Sequence, residues 1–320
     1  MFVNFCKFTW NQKVLQLIAS FLEYLSLEKK YSAHTLTAYK NDLTAFSGFL
    51  NTFYNQDSLL EVSYPQIRNW VVSLVENDIS NRTINRKISS LKSFYKFLQK
   101  TKQIQTSPLA KHKALKVAKK VQVPFSSKEI NTLLEKENFT NDFEGVRNAL
   151  IIELLYTTGI RRKELVDLKE SDVSISNSTI KVLGKRNKER LIPLLNSLLP
   201  KIIKYLELKK NHSIGSPEFF ITEKGNKLYE TLVYRIINSY FSKVSSKVKK
   251  SPHILRHSFA SHLLNEGSDL NSVKELLGHS SLASTQVYTH NSLEAIKKVY
   301  NKAHPKSNKN NELWKYLLNP

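Results

Sequence analysis

Six side chains in the second half of the chain are of types that can bind an anion or carry a proton and are taken together: Arg161, Lys185, His253 with Arg256, His279 and Tyr288. In HILRH (residues 253–257), the preceding Ser251-Pro252 predicts an N-cap and first helical turn. His253 then sits at a helix start with Arg256 three residues on, and residues at i and i+3 project from one face. That face lies at the positive end of the helix dipole, where an anion is favoured. In ELLGHSSLASTQVYTH (residues 275–290), Gly278 reads as a helix terminator that places His279 just beyond it. Ser280 or Ser281 restarts a short helix ending near Tyr288, whose hydroxyl can reach into a cleft. Taken singly, each piece also has an ordinary reading. Arg161 can be a helix-surface charge, Lys185 a solvated turn lysine, and Tyr288 a core residue capping a small helix. Only the combination is informative.

The elements that must position these groups follow from hydrophobic periodicity. The N-terminal third reads as four helices. Val14, Leu17, Ile18, Phe21 and Leu25 mark the first; Ser32 caps a second with Leu36, Tyr39, Leu43, Phe46 and Leu50 on one face. Ser63 with Pro65 opens a third over residues 67–75. A fourth, from about Thr83, buries Ile84, Ile88, Leu91, Tyr95 and Leu98, and its other faces carry Arg82, Arg86, Lys87, Lys92 and Lys96. Residues 111–124 hold five lysines and no acidic residue, and predict an exposed linker. Beyond Pro124 the pattern is mixed. Helical stretches at 127–135 and 146–157 lead into YTTGIRRKELVDL (156–168), which carries Arg161. A hairpin follows, TIKVL (179–183) and RLIPL (190–194) around the turn GKRNKE, with Lys185 in that turn; EFFIT (218–222) predicts a third strand. Helices then resume.

Composition bounds the partner. Lys+Arg total 49 against 27 Asp+Glu, a net charge of +22 spread along the chain, which points to a polyanion and most simply to nucleic acid. A basic fourth-helix face (Arg82, Arg86, Lys87, Lys92) is the candidate contact surface. The single Cys6 leaves no intrachain disulfide or CxxC site, and a reducing, cytoplasmic setting is expected. No run of apolar residues predicts a membrane span or a signal peptide. His253, His257 and His262 fall on one stretch, but without HExxH, a cysteine partner or a nearby carboxylate they predict no metal site.

The boxes TGIRRKELVDL, GKRNKERLIPL, SPHILRHSFASHLL and LGHSSLASTQVYTH closely resemble those of bacterial tyrosine recombinases and integrases, especially the Xer type. SAHTLTAYKNDLTAFSGFL (residues 32–50) resembles that family's core-binding domain, and the likeness runs from about Lys13 to Tyr300 with box order and spacing intact. The resemblance implies a mainly helical fold with a small antiparallel sheet. It comprises an N-terminal extension (1–12), a helical DNA clamp (13–106), a basic linker (107–124), an α/β catalytic domain (125–300) and a tail (301–320).

By the same resemblance Arg161, Lys185, His253, Arg256 and His279 activate a phosphate and Tyr288 is the nucleophile, with Glu164 orienting Arg161. Arg162 is the near rival of Arg161, and Lys188 of Lys185; the family spacing favours the first of each pair. Two guanidiniums can fork onto non-bridging phosphate oxygens, and the imidazoles can bond or carry the tyrosine's proton. The implied partner is double-stranded DNA, bound by a homo- or hetero-tetramer with a related recombinase in the nucleoid. No cofactor or metal is implied. The implied role is site-specific strand exchange, as in resolving chromosome dimers. A mobile-element integrase, a type IB topoisomerase and a non-cleaving DNA-binding protein are the alternatives.

Overall fold

The computed structural model describes residues 12–118, 122–184, 189–212 and 215–278, together with Tyr300 and His304. It divides into two compact units, Met1–Lys120 and Val121–Pro320, each with its own apolar core.

In the first unit the predicted stripes become four helices: α1 (Gln12–Leu27), α2 (Ala33–Tyr54), α3 (Tyr64–Glu76) and α4 (Asn81–Lys100). Serines cap three of them. The backbone N–H of Thr35 donates to Ser32, and that of Thr83 to Ser80, each at 3.4 Å; Ser63 N–H donates to Gln66 Oε1 at 2.8 Å. The Ser80 cap starts α4 two residues earlier than its apolar stripe suggests. Phe21, Phe46, Ile84, Leu91, Phe94 and Leu98 fill the centre, with Phe21 edge-on to Phe94 at 5.3 Å.

Among the described residues of this unit one charged group is buried. Asp42 of α2 accepts from both terminal nitrogens of Arg86 at 2.5 and 2.9 Å, from Lys87 at 3.2 Å and from Ser90 Oγ at 2.7 Å. This ties α2 to α4 through charge-assisted bonds. Asp42→Ala removes the carboxylate while Arg86, about half exposed, can rehydrate. The expected loss in urea unfolding, followed by tryptophan fluorescence, is about 2–3 kcal/mol.

Of the expected linker lysines Lys111, Lys113 and Lys116 are exposed, Lys119 and Lys120 lying outside the described residues, but the backbone beneath the first three is not loose. Asn85 exchanges two hydrogen bonds with Leu115, each 2.9 Å, Asn81 donates to Lys116 O at 2.9 Å, and Lys92 donates to His112 O at 3.3 Å. Residues 112–116 are therefore fastened along α4, because its asparagines and Lys92 satisfy backbone groups the segment cannot pair internally.

The second unit runs α5 (Ser127–Leu133), α6 (Phe143–Thr158), α7 (Arg162–Val166), β1 (Val173–Ser174), β2 (Thr179–Leu183), β3 (Glu189–Pro193), α8 (Leu199–Lys210), α9 (Glu230–Val244), α10 (Pro252–Asn265) and α11 (Leu270–Leu277). Helix α6 is buried on nearly every side from Leu150 to Thr158 and packs on α8 and α10. The strands form an antiparallel sheet in the order β1-β2-β3, with Ile180 opposite Ile192 and Val182 opposite Arg190.

EFFIT is not a strand of this sheet; β1 takes that place. Phe219, Phe220 and Ile221 are all buried instead of alternating, and their backbone finds other partners. Phe219 N–H donates to Leu168 O at 2.8 Å, while the Tyr205 hydroxyl donates to Phe219 O and accepts from Ile221 N–H. Among the described residues it forms two single bridges, Lys169 to Glu218 and Ile221 to Lys227, and no ladder. A consecutive apolar run signals burial, not membership of a particular sheet. Among the described residues, no helix is long and apolar enough to cross a membrane.

Candidate active site

Helices α6 and α11 end in the same way. Gly159 and Gly278 occupy the left-handed region, with φ of 60° and 63°, and stop each helix as C-terminal glycines do. A side chain at Gly159 would also strike the Phe259 ring, 2.3 Å from its Cβ position. Terminal carbonyls without intrahelical partners carry the negative end of the helix dipole and call for cations.

Arginines answer that call. Arg256, one turn into α10 and buried, donates through Nη1 to Gly159 O and through Nη2 to Leu277 O at 2.6 Å. Arg161 precedes α7 in extended conformation and donates through Nη2 to Gly278 O at 3.1 Å. Its Nη1 reaches Glu164 Oε1 at 2.7 Å, and its backbone N–H reaches Glu164 Oε2 at 2.8 Å. Each guanidinium has five N–H donors and engages two of them among the described residues. Side chains about 95 residues apart in sequence thus meet at the segment that leads directly into His279 and Tyr288.

Electrostatics here is cationic. Burial, reinforced by Arg161, pushes Arg256 down to about 10, so it stays charged at neutral pH. Burial pushes the Glu164 carboxyl up, but Arg190 and Arg161 outweigh it and hold it below the ordinary range. His253, exposed at the start of α10, is lowered by partial burial and by Arg256, Lys249, Arg162 and Arg161. Its neutral form is favoured, and that form can accept a proton.

His262 has a different task. It is buried in α10 with Nδ1 2.9 Å from the Tyr156 hydroxyl. Burial pushes the Tyr156 phenol up, so it stays protonated and donates to a neutral imidazole. Burial also lowers His262. An unfolded imidazole binds its proton near pH 6.5, and the folded one only below that. Stability present above about pH 6.5 is therefore lost as pH falls through the folded value. The melting temperature is expected to drop as pH falls below about 6.5, and His262→Gln to flatten that slope.

Residues 124–295 match the Phage integrase family, and residues 18–102 match its N-terminal SAM-like domain. The tyrosine recombinase XerC of Bacillus pumilus is 39% identical over 298 residues, covering 91% of this chain and 97% of its own. That of Chlorobaculum parvum is 37% identical over 312 residues, 89% and 93% of the two chains. The chain belongs to the tyrosine recombinase family. Solved relatives carry the same fold. XerH bound to palindromic difH substrate, a post-cleavage complex, superposes with a TM-score of 0.66 at 20% identity over 89% of this chain and 94% of its own. The Tn1549 transposon integrase with circular intermediate DNA gives 0.66 at 19% identity, over 88% and 98%.

As a tyrosine recombinase the chain cuts and rejoins DNA, and the expected residues can be placed on its fold. Arg161, Arg256 and Glu164 come together with His253 beside them. Arg162 points elsewhere, paired with Glu230 of α9 at 2.6 Å. Lys185 and its rival Lys188, His279 and Tyr288 lie outside the described residues. In the first unit Arg86 and Lys87 are engaged by Asp42 and Lys92 by His112 O, while Arg82 is exposed. Of the tail only His304 lies within the described residues, its ring edge-on to Tyr156 at 5.3 Å, and just before the tail Tyr300 is buried, donating to Thr157 O at 2.5 Å.

Sequence reading missed Arg190, whose guanidinium meets both oxygens of Glu164 at 3.0 and 2.8 Å. A signal existed. Arg190 shares parity with Ile192 in β3, so period-2 alternation turns it inward with the apolar residues.

Proposed function

We propose that Tyr288 attacks a phosphodiester of duplex DNA held by Arg161 and Arg256. The observation that carries this reading is the meeting of those two guanidiniums at the C-terminus of α11, ten residues before Tyr288. A phosphodiester carries one negative charge and gains more in its pentacoordinate transition state. Planar, permanently charged donors already fixed in place stabilise it without reorganisation. Glu164 fixes Arg161 from behind.

A free phenol ionises near pH 10, so at pH 7 only about one in a thousand is ionised. Its proton is taken during attack by one of the imidazoles His253 and His279. As the Tyr288 oxygen bonds to phosphorus, the bond to the 5′ oxygen breaks, Lys185 protonates that oxygen, and the 3′ phosphate stays on the enzyme. A 5′ hydroxyl from a second duplex then reverses the step and frees Tyr288. The reaction conserves the phosphoester and calls for no cofactor.

The proposed partners are double-stranded DNA and further recombinase subunits, alike or related, forming a tetramer on two sites. The α4 face with Arg82, Arg86, Lys87 and Lys92 is assigned to duplex phosphates, and the protein to the nucleoid in the cytoplasm. Relatives named XerC support resolution of chromosome dimers as the role. A plasmid bearing two direct copies of the genomic recombination site tests this reading. The purified chain, with a related recombinase where one is encoded, is expected to convert it into two circles in EDTA. Binding without any circle or nick would replace it with a non-cleaving role.

A further inference from the structure

The end of α11 presents three successive carbonyls, and each holds a different arginine. Leu276 O accepts from Arg190 Nε at 3.1 Å, Leu277 O from Arg256 and Gly278 O from Arg161. The last two are assigned to phosphate. Arg190 is buried on β3, with Glu164 equally buried against it. Its Nη1 and Cδ also lie 3.1 and 3.3 Å from where a side chain at Gly278 would start. It thus touches both supports of Arg161, the Glu164 carboxylate and the carbonyl-bearing turn. Because β3 leaves the turn that contains Lys185, the same side chain anchors the base of that hairpin.

We infer that Arg190 is a positioning residue for strand cleavage, setting Arg161 through Glu164, with Leu276 O anchoring its own guanidinium. The inference rests on the phosphate-binding reading of Arg161. The planar fork is essential to it. Nε faces Leu276 O while Nη1 and Nη2 lie along the carboxylate, three directions set at once by one rigid group. A lysine keeps the charge as a single point and cannot supply them together. Glu164 would stay neutralised, but its oxygens could turn and carry Arg161 with them. A displacement of about 1 Å in a positioning group can cost about 10²-fold in rate.

The test is single-turnover cleavage of a nicked suicide duplex bearing the chain's genomic recombination site, measured alongside duplex affinity and thermal melting. Arg190→Lys is expected to slow cleavage about 10²-fold with affinity unchanged. Added to Glu164→Gln, it should cause no further loss, because its route through Glu164 is already cut. Losses that multiply, or a slow rate recovered fully by assaying below a lowered melting temperature, would overturn the inference in favour of a purely structural ion pair. Should Arg190→Lys fail to fold, Arg190→Gln combined with Glu164→Gln removes both charges, and the pair must then cleave as Glu164→Gln does alone. Arg161→Lys is run beside them. If it cleaves normally, the phosphate-binding reading itself fails; if it is slow while Arg190→Lys is normal, only the role of Arg190 does.

Discussion

Tyr288→Phe is expected to bind its DNA site as tightly as the parent chain and to form no covalent product with it. The substitution removes one oxygen, the atom proposed to bond to phosphorus, and changes the side chain's apolar body little. Phosphate contacts fix affinity, and they come from cations that the change leaves alone. Among the described residues of the second unit, Tyr156, Tyr205 and Tyr300 are poor substitutes for Tyr288, being buried with their hydroxyls bonded to His262, Phe219 O and Thr157 O. Burial also pushes each of those phenols upward, away from ionisation. Gel shift and denaturing electrophoresis on one suicide duplex read the two properties separately. Weakened binding that tracks the loss of adduct would contradict the assignment.

Arg256→Lys should be the next most damaging change. Arg256 has two simultaneous structural partners, Gly159 O and Leu277 O, and the donors it has left are the ones proposed to meet phosphate. A lysine can satisfy one carbonyl or the phosphate but lacks a rigid fork that reaches both. Removing one preorganised donor from a developing oxyanion costs roughly 10²–10³ in rate, or about 3–4 kcal/mol. The loss should fall on single-turnover cleavage. Arg256→Ala should lose more, and should also lower the melting temperature, because two helix C-termini would lose a buried cation. Equal cleavage by Arg256→Lys and the parent would remove Arg256 from the chemistry.

Much of this was legible in the sequence because the controlling features are local. Helical stripes such as Ile84–Ile88–Leu91–Tyr95–Leu98 state which face is buried, and Ser32 and Ser63 announce helix starts, whereas the Ser80 cap of α4 went unread. The spacing of the boxes favours Arg161 over Arg162; in the fold Arg161 reaches Glu164 and Gly278 O, while Arg162 pairs with Glu230. What stayed hidden depends on tertiary contact. Nothing local reveals that Asp42 engages Arg86 and Lys87, that Asn85 fastens Leu115, or that residues 219–221 pack beside Tyr205 instead of joining the sheet. Arg190 lay between these cases. Its inward parity was readable, but its partners Glu164 and Leu276 are 26 and 86 residues away.

The most direct test of the account is to trap the adduct on a nicked suicide duplex in EDTA, digest the protein and the DNA, and identify the peptide that retains nucleotide. The account predicts one modified peptide, spanning residues 279–290, with the mass of a 3′-linked nucleotide on Tyr288. Nucleotide on any other residue, or a cut duplex with no peptide attached, would contradict it.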